Sequence, residues 1–427
     1  MASSSGSSSP WTSGELILAA SHGRPVAAYD ALTGHAVTEL PAANTPRHGL
    51  AVAAVAGASF VAASHICPAT GAASIRLLQW CSPAPARELP VPEPVAALVA
   101  APYGPYLLAG GVFGHVHALA LPSGHVARSF PAHIGGGGGS VTCLAVNDDG
   151  SFLVSGGDDG ALAAFLLLDV LDVEAEGSSA STADDLAVYR VAGAHAAPVT
   201  CVACGQHGGC NAFVASASAD GTCKVWRLAD GGHLHTVALP CAALSLALDP
   251  TSTTLYAGGS DGHVHVAPLT SRSTVMNTPS ISDGTGAAAL VGLAVTNGGK
   301  SLVSCSEDGE ARVWDLPAHG HGLLVHVTTF WLGGAVSGVL VVKKHSGEAV
   351  AGTGGDEGFR VRDDVAWTRA REVVEMERML RASEEDRASS VALLETNLGI
   401  HKRCLRLMRR EVADVANGGR RDGNVID

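Results

Sequence analysis

The sequence predicts an all-β protein, a ring of about seven four-stranded sheets followed by a helical extension, and three observations carry that prediction. First, an Asp-Gly turn followed by a short alternating strand recurs. It is clearest at Ser216–Leu228 (SASADGTCKVWRL), Ala257–Leu269 (AGGSDGHVHVAPL) and Ser304–Leu316 (SCSEDGEARVWDL), with weaker copies at Ser155–Leu167 and Gly110–Leu121. Second, third-strand cues fall near Arg24, Ser74, His115, Ala161, Thr222, His263 and Glu310. Most intervals are about 40 to 50 residues, the repeat length of a β-propeller blade. Third, the period changes from two to helical after Arg362. Glu, Arg, Ala, Leu and Met dominate Trp367–Val415, which has no proline and one internal glycine, Gly399.

Taken in order, residues 1–13 read as a disordered tail, since Met1–Pro10 lacks the basic and apolar regions of a signal peptide. The propeller is expected over 14–362. Its first unit lacks a first strand, because Glu15–Ser21 and Pro25–Ala31 begin directly with strands two and three. Ala335–Val342 is in turn a strand without complete partners. Joining them lets both termini complete one blade and closes the ring, which removes the unpaired sheet edges that promote aggregation. The best unit reads as Val199–Cys204, Ala212–Ser218, Thr222–Leu228 and His233–Leu239, short β-prone runs bounded by Asp and Gly. A Ser/Ala-rich acidic insertion, 169–186, explains the long interval between Ala161 and Thr222 and is expected to be a disordered loop. Glu348–Val361 would supply a further pair of strands, and with them an eighth or rearranged blade. Residues 363–416 form the helical or coiled-coil extension, with a heptad stripe from Val391 to Val415, and 417–427 form a second tail.

Composition narrows the function. A net charge of −13 argues against a general basic surface that grips nucleic acid. No segment approaches the roughly 20 uninterrupted apolar residues of a membrane span. Ten cysteines without regular spacing point to a reducing compartment and free thiols rather than to a disulfide framework.

Neither a catalytic set nor a metal or cofactor site is expected. Asp158, Asp261 and Asp308 each offer one or two carboxylates beside a strand, whereas a calcium loop gathers several oxygen ligands within about twelve residues. They are read as turn residues. Cys201 and Cys204 make a Cys-x-x-Cys near His195, His207 and Cys210, but a separation of three on a strand puts the two thiols on opposite faces. Gly135–Gly139 lacks the Gly-Lys-Ser/Thr ending of a phosphate loop. Histidines that alternate along strands, His115 with His117 and His263 with His265, read as ordinary strand packing. The feature with most functional weight is the basic, amphipathic surface of Leu398, Lys402, Arg403, Leu405, Arg406, Met408, Arg409 and Arg410. It reads as a helix face that binds a partner protein or ribosomal RNA, pairs with a like helix, or serves as a nuclear import signal, against the plainer reading of a solvated face.

Val225-Trp226 and Val313-Trp314-Asp315 after Asp-Gly turns, with Ala194-His195 ahead of a first strand, resemble WD repeats. That resemblance implies a buried hydrogen-bonded set of His195, Ser216 (or Ser218), Asp220 and Trp226, and a structural role for Trp314. Elsewhere Phe165 replaces the Trp, or the His is missing. The order of degenerate first units, the insertion after Phe165–Leu171, the Ala-His-Ala-Ala-Pro-Val-Thr stretch and a helix after the last blade is similar to the WD-repeat subunits of Rix-type complexes. Their plant members are the root-initiation-defective proteins. This resemblance implies a non-catalytic scaffold, located in the nucleus, that binds protein subunits of a ribosome-assembly complex and the pre-ribosomal particle during rRNA processing. The competing reading is a substrate receptor of a cullin-type ubiquitin ligase. It is weakened because Trp314-Asp315 is followed by Leu316-Pro317 and lacks the Arg of such receptors.

Overall fold

Alternation within single strands decides which neighbour each side chain meets. In Glu15–Ser21 (ELILAAS) every residue is buried. Leu16 and Leu18 pack with Leu50, Val61 and Leu78 on one side, while Ile17 and Ala19 pack with Val291, Val303 and Val313 on the other. A strand buried on both faces must lie between two sheets. In the computed structural model, described for residues 14–343 apart from short internal stretches of which 172–185 is the longest, this holds all the way round a ring.

Seven sheets make the ring. Blade 1 runs Val336–Lys343, Glu15–Ser21, Arg24–Asp30 and Ala36–Leu40 from inner to outer strand. Blade 2 is Leu50–Val55, Ala58–Ile66, Ala73–Leu78 and Arg87–Pro90. Blade 3 is Val95–Ala100, Tyr106–Gly111, His115–Ala120 and His125–Pro131. Blade 4 is Val141–Val146, Phe152–Gly157, Leu162–Leu166 and Ala187–Val191. Blade 5 is Val199–Cys204, Phe213–Ser218, Thr222–Arg227 and His233–Ala238. Blade 6 is Ala243–Leu248, Thr254–Gly259, Val264–Pro268 and the two-residue Ser280–Ile281. Blade 7 is Leu290–Thr296, Ser301–Ser306, Glu310–Asp315 and Val325–Trp331. The inner strands pack against one another in ring order, and that of blade 7 meets Val336–Lys343 of blade 1.

Closure is as the sequence suggests. Val336–Lys343 pairs antiparallel with Glu15–Ser21, from Glu15↔Lys343 to Ser21↔Val336, so the first and last strands of the ring share one sheet. Neighbouring blades are joined by apolar layers, such as that between blades 3 and 4, where Phe130 and Phe165 meet edge to face at 4.9 Å.

Three details differ from expectation. The Leu-rich run Phe165–Leu171 is not one strand: Leu162–Leu166 ends it, and Leu167–Leu171 turns into a short helix that buries Leu167 and Val170. The acidic insertion therefore does not begin as a disordered loop at Asp169, because that residue lies in this helix, between the buried Leu167 and Val170. The fourth strand of blade 6 is minimal. The segment before it, Val275–Asn277, instead joins blade 5 as a fifth, parallel strand on His233–Ala238. The alternative strands at 348–361, the helical extension at 363–416 and both tails lie outside the described residues.

Candidate functional site

Antiparallel pairing places the turn after each second strand at the same end of the blade as the connection leading into the inner strand. In blade 5 the pair Val199↔Ser218 fixes that end, and polar side chains from both pieces meet there. His195, from the lead-in, directs Nε2 to Ser216 Oγ at 2.8 Å and Nδ1 to Asp220 Oδ2 at 3.2 Å. Trp226 Nε1 donates to the same Ser216 Oγ at 2.9 Å. Asp220 also accepts from the backbone N–H groups of Ala196 and Thr222, at 3.0 and 2.9 Å, and so ties the lead-in to the turn. His195, Ser216, Asp220 and Trp226 are thus brought together as one set, with Thr222 added to it.

Burial is the largest influence on His195 and pushes its pKa below the ordinary histidine value, with Asp220 opposing. Burial alone would raise Asp220, but the Thr222 hydroxyl, the Ala196 N–H and His195 outweigh it and hold the carboxyl below its usual range. Serine, histidine and aspartate in a row have the connectivity of a nucleophilic relay. Ser216, however, is wholly buried and its oxygen already accepts from Trp226, so no substrate carbonyl can reach it. The arrangement is chemically a clamp.

Blade 4 repeats its histidine, serine and aspartate, with Ala161 at the position of Thr222. His133 Nε2 meets Ser155 Oγ at 2.9 Å and Nδ1 meets Asp159 Oδ1 at 3.1 Å, while Phe165 stands where blade 5 has Trp226. The turn aspartate is therefore Asp159 and not Asp158. Asp159 directly precedes the turn glycine and bonds the Ala161 N–H, whereas the backbone of Asp158 bonds the Ser140 carbonyl. In blade 7 Trp314 Nε1 donates to Ser304 Oγ at 2.8 Å, and Asp308 accepts from the Ser306 hydroxyl and the Glu310 N–H.

Blades 3 and 6 reach the same place from the other direction. Their histidines come from the third strand. In blade 3, His117 Nε2 lies 2.9 Å from Oε1 of Glu93, a buried carboxylate supplied by the lead-in, and Glu93 also accepts the Phe113 N–H. In blade 6, His265 Nε2 lies 3.2 Å from Asp261 Oδ2 and 3.6 Å from Cys241 Sγ. Sequence reasoning missed Glu93, His117, Cys241 and His265, because His-x-His alternation on a strand looks like packing. The available signal was that blades 3 and 6 lack a lead-in histidine and carry one on the third strand.

Cys201 and Cys204 do not converge. Cys201 packs on the layer shared with blade 6 and Cys204 on the layer shared with blade 4. Burial pushes their thiols up to about 11 and about 12, so both stay protonated. His207 and Cys210 lie outside the described residues, as do 135–138 of the glycine run.

The centre of the ring carries its own chain. Residues 45–48 cross it: the Thr45 carbonyl accepts from Ser337 of blade 1, Arg47 Nη1 donates to the Leu244 carbonyl of blade 6, and His48 Nε2 bonds the Thr200 carbonyl of blade 5 at 2.8 Å. A Cβ on Gly338 would lie 2.1 Å from the Arg47 carbonyl, so blade 1 needs glycine for this approach. Outward-facing apolar residues include Phe113 on the turn of blade 3, and Val325, Val327 and Trp331 on the outermost strand of blade 7. The basic face from Leu398 through Lys402, Arg403, Leu405, Arg406, Met408 and Arg409 to Arg410 lies outside the described residues.

Comparison with known proteins agrees with this geometry. Residues 124–163, 187–227 and 282–315 match the family described as WD domain, G-beta repeat. The chain is 30% identical over 331 residues to Protein ROOT INITIATION DEFECTIVE 3 of Arabidopsis thaliana, covering 77% of this chain and 72% of that protein. It is 30% identical over 232 residues to WD repeat-containing protein 18 of Danio rerio, covering 53% of this chain and 51% of that one. It is 26% identical over 187 residues to the Pre-rRNA-processing protein crb3/ipi3 of Schizosaccharomyces pombe, covering 44% of this chain and 41% of that one. The chain thus spans about half or less of the last two relatives and most of the first. It belongs to the WD-repeat family of Protein ROOT INITIATION DEFECTIVE 3.

Proposed function

We propose that this protein is a non-catalytic scaffold subunit of a nuclear complex that processes pre-rRNA and assembles the large ribosomal subunit. The observation that carries the reading is the similarity to proteins named for pre-rRNA processing. Two features of the fold support it. Among the described residues both relay-like sets, His195–Ser216–Asp220 and His133–Ser155–Asp159, have a wholly buried serine, and the centre of the ring is crossed by residues 45–48. What remains for function is surface. Blade surfaces bind protein subunits of the assembly, including a large helical-repeat subunit, and the complex recruits a motor ATPase to the pre-ribosomal particle. The helical extension at 363–416 adds a second contact through Lys402, Arg403, Arg406, Arg409 and Arg410, to a partner protein or to RNA, or pairs with its own copy.

Affinity purification of the tagged protein followed by mass spectrometry tests this directly. Large-subunit assembly factors should co-purify, and depletion of the protein should cause large-subunit rRNA precursors to accumulate. Recovery of a cullin and its adaptor, with normal precursor levels, would overturn the reading. Removal of 367–427 should leave a folded ring that recovers less of the complex. Unchanged recovery would remove the helix from the proposal and leave the ring.

A further inference from the structure

The polar set of blade 6 differs from the others in how its donors point. In blades 4 and 5 the two ring nitrogens of one histidine serve two separate partners, a serine hydroxyl on Nε2 and a carboxylate on Nδ1. In blade 6 the serine position is Ala257, and a single nitrogen, His265 Nε2, faces both Cys241 Sγ at 3.6 Å and Asp261 at 3.2 and 3.3 Å. One nitrogen has either one proton or one lone pair to give, so it serves one of the two, and the Cys241 thiol turns to Asp261 as well. The three donor atoms all lie within 4.8 Å of one another.

Gly259 marks where they converge. A Cβ placed there would sit 2.2 Å from Asp261 Oδ1, 2.6 Å from Cys241 Sγ and 3.0 Å from His265 Nε2. Only glycine keeps that point open. His263 Nδ1 lies 3.4 Å from Asp261 Oδ2 at the rim of this set. Tetrahedral zinc, with bonds of about 2.0 to 2.3 Å to nitrogen, oxygen and sulfur, needs donor separations of about 3.2 to 3.7 Å. The measured separations fall in that range. Calcium and magnesium would not select a thiol and an imidazole.

We propose that Cys241, Asp261 and His265 form a zinc site on blade 6, with solvent at the fourth position. The ion joins the lead-in, the turn and the third strand, the three pieces that a hydrogen-bonded histidine joins in blade 5. Binding exchanges the Cys241 thiol proton for the metal and releases it to solvent, with no change of oxidation state. Because the thiol must lose its proton to bind, zinc affinity should rise with pH.

Cobalt(II) titration of chelator-treated full-length protein tests the site. One equivalent should bind with a thiolate-to-cobalt charge-transfer band and tetrahedral d–d bands, and zinc should displace it. Cys241→Ser should abolish the charge-transfer band, and both Cys241→Ser and His265→Gln should weaken zinc binding by about 100-fold. Cys305→Ser, a buried thiol of blade 7, should leave the band and the affinity unchanged. Circular dichroism checks that each variant is folded. If Cys241→Ser fails to fold, Asp261→Asn, whose residue is partly exposed, is read instead and should lose the zinc-dependent rise in melting temperature. No cobalt binding by the wild type, or a band that persists in folded Cys241→Ser, would overturn the site.

Discussion

Blades 4 and 5 bring a histidine to the polar end of the blade from the connection ahead of the inner strand; blades 3 and 6 bring it from the third strand. In both pairs an imidazole ends up against a carboxylate at the turn after the second strand. The carboxylate changes place as well, from the turn in blades 4, 5 and 6 to the lead-in residue Glu93 in blade 3. A histidine-to-acid bridge at this end of the blade is therefore what these four blades share, and the piece of the blade that supplies each half is open. Blade 7 has the tryptophan–serine bond and the turn aspartate, and its neighbouring layers are as apolar as the rest. The polar set thus fixes the blade's lead-in, while the apolar layers hold the ring.

The strongest way to break this comparison is Glu93→Ala. It leaves His117 Nε2 and the Phe113 N–H without their acceptor in a buried site, and should cost about 4 kcal/mol in urea unfolding. A loss below that of any blade 5 hydroxyl variant would show that the third-strand route is the weaker one.

His48 sharpens it next, since it is a histidine held by a backbone carbonyl and not by an acid. Burial pushes it down to about 4. The unfolded chain therefore binds a proton that the folded chain refuses between about pH 6.5 and 4. Stability should fall as pH drops through that window, by about 3 kcal/mol at its lower end. His48→Gln should flatten this part of the urea-midpoint profile. The depressed aspartates, Asp159 and Asp220, lose their contribution only as pH falls further, through their folded values.

Ser216→Ala and Ser304→Ala form a matched pair. The first removes a hydroxyl shared by His195 and Trp226 and should cost about 2 kcal/mol; the second affects Trp314 alone and should cost about 1 kcal/mol. Equal losses would mean that the histidine bond adds nothing in blade 5. The smallest effect is expected for Trp226→Phe, about 1 kcal/mol, because blade 4 already works with Phe165 at that position.

Most of the ring was legible because strands with a period of two leave a strong trace. Val199–Cys204 coincides with its sequence reading, and the lone strand near Val336 was interpretable only as the missing partner of Glu15–Ser21. Leu167–Leu171 was not legible, since a run of leucines has no period to separate strand from helix. Asp158 was preferred to Asp159 for a similar reason: Asp-Asp-Gly offers two candidates, and only the register against Ser140 and Ala161 separates them. The set of blade 5 was readable through its resemblance to a repeat. Glu93 with His117, and Cys241 with His265, lie about 24 residues apart in a pattern no repeat prescribes, so only folding brings them into view.

The shared first blade also sets a schedule for synthesis. Glu15–Ser21 leaves the ribosome early, with both faces apolar and one edge open, and its partner Val336–Lys343 emerges more than 300 residues later. At about 5 to 20 residues per second that wait lasts tens of seconds. Throughout it the chain carries an unsatisfied sheet edge that any other strand can capture. Yield of the folded ring should therefore depend on chaperone supply and translation speed more than on the stability of any blade. A circular permutant that begins at Val336, and so makes blade 1 from contiguous strands, would remove the wait while keeping every contact of the finished ring.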